Sequence, residues 1–178
     1  RTMGSTTAAA PATSARETRI ATTERVRWDR LRETLSASTD GDLKAMAHDM
    51  LRVTDTLDAN SQLRRIVTDP AADPEAKAQL IDNVFRGKIH DDVVDLAMGM
   101  ARAHWSDEDD FAASIGRIAA FAVMDDAERK GKLVQLADEM FAVEQFLTKE
   151  RRLRDAFSDK LKTPEQRMKL VTDVFEGH

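Results

Sequence analysis

This sequence contains no cysteine and no tyrosine, and aromatic side chains make up only 5% of its 178 residues. The absence of cysteine excludes disulfides, thiol nucleophiles and cysteine-ligated metal sites. So few aromatic residues argue against a β-sandwich. No apolar run approaches the roughly 18 residues of a membrane-spanning helix, so we expect no direct insertion into a membrane. The net charge is −5 and no basic stripe is present, which argues against a nucleic-acid partner.

The residues that are abundant are those that favour helices. The chain is 42% hydrophobic and 33% charged, with only 7 Gly and 4 Pro. The mixture is rich in alanine, leucine, glutamate, lysine and arginine taken together, and this composition predicts an all-α protein. Residues 1–15 are small, polar and free of acids, and they lack the apolar stretch of a secretory signal. We expect a disordered tail there, with an organelle transit peptide as the alternative.

An internal repeat organises the rest of the chain. Residues 41–87 align without a gap on residues 131–177, and 15 of the 47 pairs are identical. Unrelated sequences would share roughly three. The identical residues of the first copy are Gly41, Leu43, Ala47, Met50, Val53, Leu57, Leu63, Arg64, Asp69, Pro74, Glu75, Leu80, Val84, Phe85 and Gly87. Two copies at this long period indicate a duplicated helical bundle rather than a solenoid.

The repeated residues have the pattern of helix ends and buried helix faces. Asp73 and Thr163 stand at N-cap positions, and proline follows each at the first helical position. Thr163 and Gln166 predict a reciprocal capping pair. Upstream, Leu43, Met46, Met50, Val53 and Leu57 recur every three or four residues, which predicts one buried stripe on a long helix. Leu133, Leu136, Met140, Val143 and Leu147 repeat this stripe, and we expect it to be buried as well.

These patterns predict two bundles of the six-helix type that share a helix. The expected helices of the first copy are 16–37, 41–58, 60–67, 74–86, 91–104 and 107–130, with Ser106 capping the last. Residues 16–106 would form the first bundle and 107–178 the second, which reuses 107–130 as its first helix and then repeats the next three helices, among them 131–147 and 164–176. The second bundle is incomplete, so its apolar faces cannot all be covered. We therefore expect the full protein to continue, or a partner to supply the missing helix.

Residues with catalytic or metal-binding chemistry do not form a recognisable site. The four histidines, at positions 48, 90, 104 and 178, lack the spacing of a metal site. The acids of "HDD" (90–92) and "SDEDD" (106–110) suit the first turns of helices better than general acid–base chemistry. We expect no catalytic residues, no metal and no cofactor. The basic run "KERRLRD" (149–155) indicates a solvated face, with an acidic partner as the alternative.

The run "NSQLRRIVTDPAADPEAKAQLIDNVFRGK" (60–88) and its weaker echo, "LRDAFSD…PEQRMKLVTDVFEGH", resemble the N-terminal domain of the F-type ATP synthase delta subunit. The mitochondrial counterpart is the oligomycin-sensitivity-conferring protein. "VVDLAMGMARAHWS" (93–106) is similar to the next helix of a longer delta form with a duplicated helical bundle. The resemblance implies a non-catalytic stator subunit of the peripheral stalk, on the cytoplasmic face of a bacterial membrane. The alternatives from the residues alone are a helical adaptor of another complex or an enzyme with an unrecognised site.

The resemblance also implies partners and a binding groove. In this family the helical domain binds an N-terminal helix of the alpha subunit between its first and fifth helices, and the subunit also engages the b subunit. Such a helix docks through apolar side chains at helical spacing. Carried over by position, the groove residues are Trp28, Leu31 and Leu35 with Val94, Met98 and Ala101 in the first copy, and Ile115, Ile118 and Ala122 in the second. For each of these residues, a place in the intramolecular core is the alternative.

Overall fold

The computed structural model describes residues 23–33 and 43–151, together with residues 154, 155, 159, 163, 166 and 169. All regular secondary structure in this part of the chain is helical, so the predicted all-α class is confirmed. The helices are α1 (23–33), α2 (Leu43–Ala59), α3 (Ser61–Thr68), α4 (Pro74–Phe85), α5 (Asp91–Ala101), α6 (Glu108–Arg129) and α7 (Leu133–Lys149). The predicted tail 1–15 and most of the predicted helix 164–176 lie outside the described residues.

Helix ends follow the predicted capping chemistry with two corrections. The Asp73 carboxylate accepts from the Ala76 N–H at the start of α4, and Gly87 beyond its end has φ +78°. The α6 cap is Asp107 rather than Ser106, because the Asp107 carboxylate accepts the N–H of Asp109. Helix α5 ends at Ala101 rather than at residue 104. Trp105, beyond that end, donates its indole N–H to the carbonyl of Met100 at 2.8 Å.

The core lies between α2 and α6, which make the most extensive helix pair. The predicted stripe of α2 is fully covered, and Val53 and Met50 are 0% exposed. Phe111, Ile115 and Ile118 of α6 are buried in the same cluster. Helices α3, α4 and α5 close the remaining sides, α4 packing chiefly on α5. The described first bundle thus buries its apolar faces in one continuous core.

The repeat is visible in the positions of helix ends and in two local contacts. Helix α7 has the length of α2, 17 residues, and begins and ends 90 positions later. Arg64 Nη1 donates to the carbonyl of Asp58 at 3.4 Å, and Arg154 Nη1 donates to that of Thr148 at 3.5 Å, again 90 positions later. In both copies the arginine therefore satisfies a carbonyl at the end of the preceding long helix.

The predicted capping pair of the second copy is confirmed at the two residues that form it. The Thr163 N–H donates to Gln166 Oε1 at 2.9 Å, and the Gln166 N–H donates to Thr163 Oγ1 at 3.3 Å. This reciprocal arrangement satisfies two backbone donors at a helix start. The second bundle as a unit remains a prediction, because most of residues 152–178 lie outside the described part of the chain.

The expectation that α7 buries its stripe is wrong for the described structure. None of its residues is buried, and of α2 to α6 only α6 makes more than a marginal contact with it. The physical reason is that a helical stripe is buried only when another element lies on it, and the described residues place none on α7. The expected uncovered apolar surface of the second copy is present on this helix.

Alanine substitutions at two glycines should change the free energy of unfolding in opposite directions, which tests the helix assignments. Gly99 lies on the exposed side of α5, and a Cβ there would meet nothing within 4 Å. Gly99→Ala should therefore raise the free energy of unfolding by about 0.5–1 kcal/mol, because alanine restricts the unfolded chain more than glycine. Gly87→Ala should lower it by about 1 kcal/mol, because its positive φ strains a residue with a Cβ. Urea unfolding followed by far-UV circular dichroism measures both, and equal shifts for the two variants would contradict the assignment.

Candidate interaction site

Helix α1 is attached to α6 through a buried carboxylate of its own. Glu24 is 1% exposed. Its carboxylate accepts the Ser114 hydroxyl and also Arg117 Nε, at 2.8 Å and 2.7 Å to its two oxygens. Glu24 and Ser114 are 90 positions apart, the period of the repeat, which agrees with α6 serving as the first helix of the second copy. A buried carboxylate is tolerated here because both oxygens have donors.

A second buried carboxylate makes the reverse connection, from α6 to α1. Asp125 Oδ2 accepts the Trp28 indole N–H at 2.5 Å and Arg32 Nη1 at 3.1 Å. The early part of α1 thus bonds to the early part of α6, and the later part of α1 bonds to the later part of α6. The two helices therefore run parallel. Removing either carboxylate would leave buried donors without acceptors, so these contacts specify the position of α1 on the bundle.

The first predicted groove set is divided between core and surface. Trp28, Val94 and Ala101 are fully buried, whereas Leu31 and Met98 are partly buried and pack against the core. Met98 also receives a 3.4 Å contact at its Sδ from Nη2 of Arg86, the residue that follows α4. Leu35 lies outside the described residues. Within this set, Leu31 and Met98 are thus the side chains that retain exposed area for a partner.

The second predicted set lies in the core of the first bundle. Ile115, Ile118 and Ala122 are at most 1% exposed, because this face of α6 belongs to the cluster it forms with α2. In the described structure they therefore have the intramolecular role that was the stated alternative. Their use by a partner remains a prediction that would require this part of the core to open.

One edge of α1 faces the carboxyl end of α5. The Arg27 guanidinium lies over the ring of Trp105, with 5.4 Å from its carbon to the ring centroid. Trp105 in turn packs edge-on against Phe111, with ring centroids 5.2 Å apart. Leu31 is one helical turn after Arg27 and so shares its side of α1. We call Arg27, Leu31 and Trp105 the α1 edge; it offers apolar area, an aromatic ring and a cation.

The outer surface of α4 and α5 is joined by exposed ion pairs. Arg86 reaches Asp82, Asp95 and Asp91 at 2.6, 2.7 and 3.3 Å. Hydrogen bonds to Asp95 and Asp82 raise the pKa of the Arg86 guanidinium. Between the same helices, Arg102 donates to both oxygens of Glu75 and holds the pKa of that carboxyl below its usual value. The exposure of these groups limits their energetic value, and their consequence is alignment of α4 with α5.

A second candidate surface is the apolar side of α7. Its members are Leu133, Val134, Met140, Phe141 and Val143. Val134 is 76% exposed, Met140 and Phe141 are each 61% exposed, and Val143 is 50% exposed. Several large apolar side chains exposed on one helix are typical of a surface that another element covers. We call these five residues the α7 face.

Side chains for metal binding do not converge in the described residues. Across residues 23–33 and 43–151, no three histidine or acidic side chains form a group that could hold a metal ion. His90 caps α5, where its Nδ1 accepts the Asp92 N–H at 3.3 Å. Asp107 caps α6, and the acids at 108–110 lie in its first turn. In the same part of the chain, no helix is long and apolar enough to cross a membrane.

Sequence reasoning missed the residues that position the α1 edge. Asp125 continues the α6 stripe of Ile118 and Ala122 at helical spacing, and Glu24 lies one turn before Trp28. A carboxylate at a stripe position is a signal of a buried, bonded acid, and it could have been found in this way. Arg27 carries no such signal, because its role depends on Trp105, 78 positions away in the sequence.

Comparisons with known proteins find similar sequences. Residues 34–104 match the family model described as ATP synthase delta (OSCP) subunit, and this range covers α2 to α5. The chain is 36% identical over 151 residues to the ATP synthase subunit delta of Beutenbergia cavernae, covering 85% of this chain and 54% of the relative. It is 34% identical over 149 residues to the ATP synthase subunit delta of Streptomyces avermitilis, covering 82% of this chain and 55% of the relative. It is 32% identical over 129 residues to the ATP synthase subunit delta of Kineococcus radiotolerans, covering 72% of this chain and 47% of the relative. The chain thus spans about half the length of the curated relatives it matches.

Proposed function

We propose that this chain, whose residues 34–104 match the family model of ATP synthase delta (OSCP) subunits, is part of the peripheral stalk of an F-type ATP synthase. It would act there as a non-catalytic stator element that holds the catalytic head against torque. The match over α2 to α5 carries this proposal, since those helices form most of the first bundle. A position on the cytoplasmic face of the membrane and a link to the b subunit belong to the same proposal.

The packing of the first bundle suits a mechanical role. A stator element must transmit force without changing shape, and a close-packed core transmits strain well. The reciprocal carboxylates, Glu24 and Asp125, hold α1 on α6 through directional hydrogen bonds that resist sliding. The ion pairs of Arg86 and Arg102 align α4 with α5. None of these features requires a substrate or a cofactor.

The proposed partner contact is an amphipathic N-terminal helix of the alpha subunit that lies along the α1 edge. Helix-in-groove recognition needs apolar anchors on the receiving surface and a rigid frame below them. Leu31 and Met98 offer partly exposed apolar area, and the buried Trp28, Val94 and Ala101 form the core beneath them. The predicted groove residues would thus divide into contacting side chains and their support.

Calorimetric titration with a peptide covering the N-terminal helix of the alpha subunit of the source organism tests this proposal. We expect a Kd in the micromolar range or tighter, which corresponds to about 8 kcal/mol of binding free energy. Leu31→Glu should weaken binding at least about tenfold, because it places a charge among apolar contacts. Val26→Glu is the matched control: Val26 is an exposed apolar residue of the same helix, 44% exposed, on the side away from the core.

The result that overturns the proposal is an absence of binding heat over a range of temperatures, with a chain that circular dichroism shows to be folded. Equal weakening by Leu31→Glu and Val26→Glu would place the contact elsewhere than on the α1 edge. Varying the temperature is needed because apolar burial changes the heat of binding through its heat capacity and can make it vanish at one temperature.

A further inference from the structure

Arg27 is a half-buried cation whose surroundings in the described structure are unusual for an arginine. Its guanidinium lies over the Trp105 ring, and burial lowers the pKa of the side chain while Glu24 opposes that shift. The Glu24 carboxylate itself is occupied by Ser114 and Arg117. Arg27 thus loses hydration on folding without a carboxylate of its own.

Other arginines of the same region have ion-pair partners. Arg25 pairs with Asp29 at 3.1 Å, and its guanidinium lies over Phe121 on the other side of α1. Arg32 pairs with Asp125 at 3.1 Å. Among the described residues no carboxylate forms an ion pair with Arg27. Its planar guanidinium has one face on the ring, so its N–H groups at the edge remain able to bind an anion.

The ring that carries Arg27 is itself held from two directions. The Trp105 indole N–H donates to the carbonyl of Met100 at the end of α5, 2.8 Å away. The ring packs against Phe111 of α6 at an interplanar angle of 80°. Because the ring is fixed, the guanidinium is preorganised, and less conformational entropy is lost when it binds a partner.

We propose that Arg27 selects the partner of the α1 edge by donating hydrogen bonds to a carboxylate on the docked helix. This inference rests on the proposed function, since it concerns the helix expected there. Leu31 lies one turn from Arg27, so the partner's carboxylate should stand three or four residues from the apolar side chain that contacts Leu31. The recognised chemistry is an amphipathic helix with an aspartate or glutamate at the border of its apolar face. A phosphate backbone fits less well, because the chain has a net charge of −5 and its cations are dispersed.

The test compares two arginines on one helix with the same alpha-subunit peptide. Arg27→Gln should weaken binding about tenfold, because a desolvated charge-assisted hydrogen bond is lost. Arg25→Gln is the matched control: it removes the same charge and a similar ring contact, but this guanidinium is already paired with Asp29. It should change the Kd less than about twofold. The salt dependence of the Kd should fall for Arg27→Gln alone.

Charge reversal separates recognition from a structural effect on the Trp105 ring. Arg27→Glu should abolish binding of the native peptide. A peptide in which the critical acid is replaced by lysine should bind Arg27→Glu within about threefold of the native pair. If neither Arg27→Gln nor the replacement of every peptide acid by its amide weakens binding, the inference is overturned and the proposed function is left intact. Failure of the wild-type chain to bind the peptide at all overturns both.

Discussion

Replacing Trp28 by alanine should lower the free energy of unfolding by about 4 kcal/mol. The indole is 0% exposed within the core cluster, so its removal leaves a large cavity between α1 and α6. It also removes a donor from the buried Asp125 carboxylate, which would keep its bond to Arg32. Since domains are stable by only about 5–15 kcal/mol, this loss is a large part of the total.

Trp28→Phe separates the cost of the cavity from the cost of the lost hydrogen bond to Asp125. The phenyl ring fills most of the site but cannot donate to Asp125, so we expect a loss of about 2 kcal/mol, the cost of losing one hydrogen bond to a buried charged acceptor. Urea unfolding followed by far-UV circular dichroism measures both variants. In each of them Trp105 is the only tryptophan, since the sequence has 2, and its fluorescence reports on the α1 edge. A loss below about 1 kcal/mol for Trp28→Ala would mean that α1 does not fold as part of the bundle.

The repeat provides a second prediction with an internal control. Met50 and Met140 occupy equivalent positions of α2 and α7, yet Met50 is 0% exposed and Met140 is 61% exposed. Met50→Ala should destabilise the protein by about 3 kcal/mol, through lost burial and a cavity. Met140→Ala should change the free energy of unfolding by less than about 0.5 kcal/mol, as is usual for an exposed position.

Urea unfolding at two protein concentrations measures this pair. Comparable losses at Met50 and Met140 would contradict the exposed position of α7 and would indicate that its apolar side is covered in solution. If that coverage came from self-association, the effect of Met140→Ala would grow with protein concentration. If the α7 face is exposed in solution, the wild-type protein should bind a hydrophobic dye, and Met140→Ala should bind less of it.

The proposed mechanical function would be carried by the first bundle. The reciprocal carboxylates fix α1, the ion pairs align α4 with α5, and the α1 edge stays accessible beside Trp105. A partner helix docked there would transmit force to a packed core rather than to a loop. A specific role of this kind depends on packed contacts and an accessible edge rather than on the fold class.

Local sequence patterns were sufficient for the helices and their ends. Periodic apolar residues predicted α2 to α6 within three residues of their observed bounds, because a helix forms wherever spacing, propensity and caps agree. Asp73 and Gly87 acted where a cap and a left-handed residue were expected. The Thr163–Gln166 pair was predicted for the same reason, since all of its atoms lie within one turn. The error at the α6 cap arose because two adjacent residues, Ser106 and Asp107, have equivalent capping chemistry.

The sequence by itself determined which segments are helical, where apolar stripes run along them, and that two of the stripes share an origin. Only the tertiary structure decided which stripe is covered. The stripes of α2 and α7 are almost alike in sequence, yet α6 lies across one and no described helix lies across the other. It also decided that Glu24 and Asp125 are buried acceptors and that Arg27 rests on Trp105. Burial and polar pairing depend on neighbours that are distant in the sequence, and local periodicity carries no information about them.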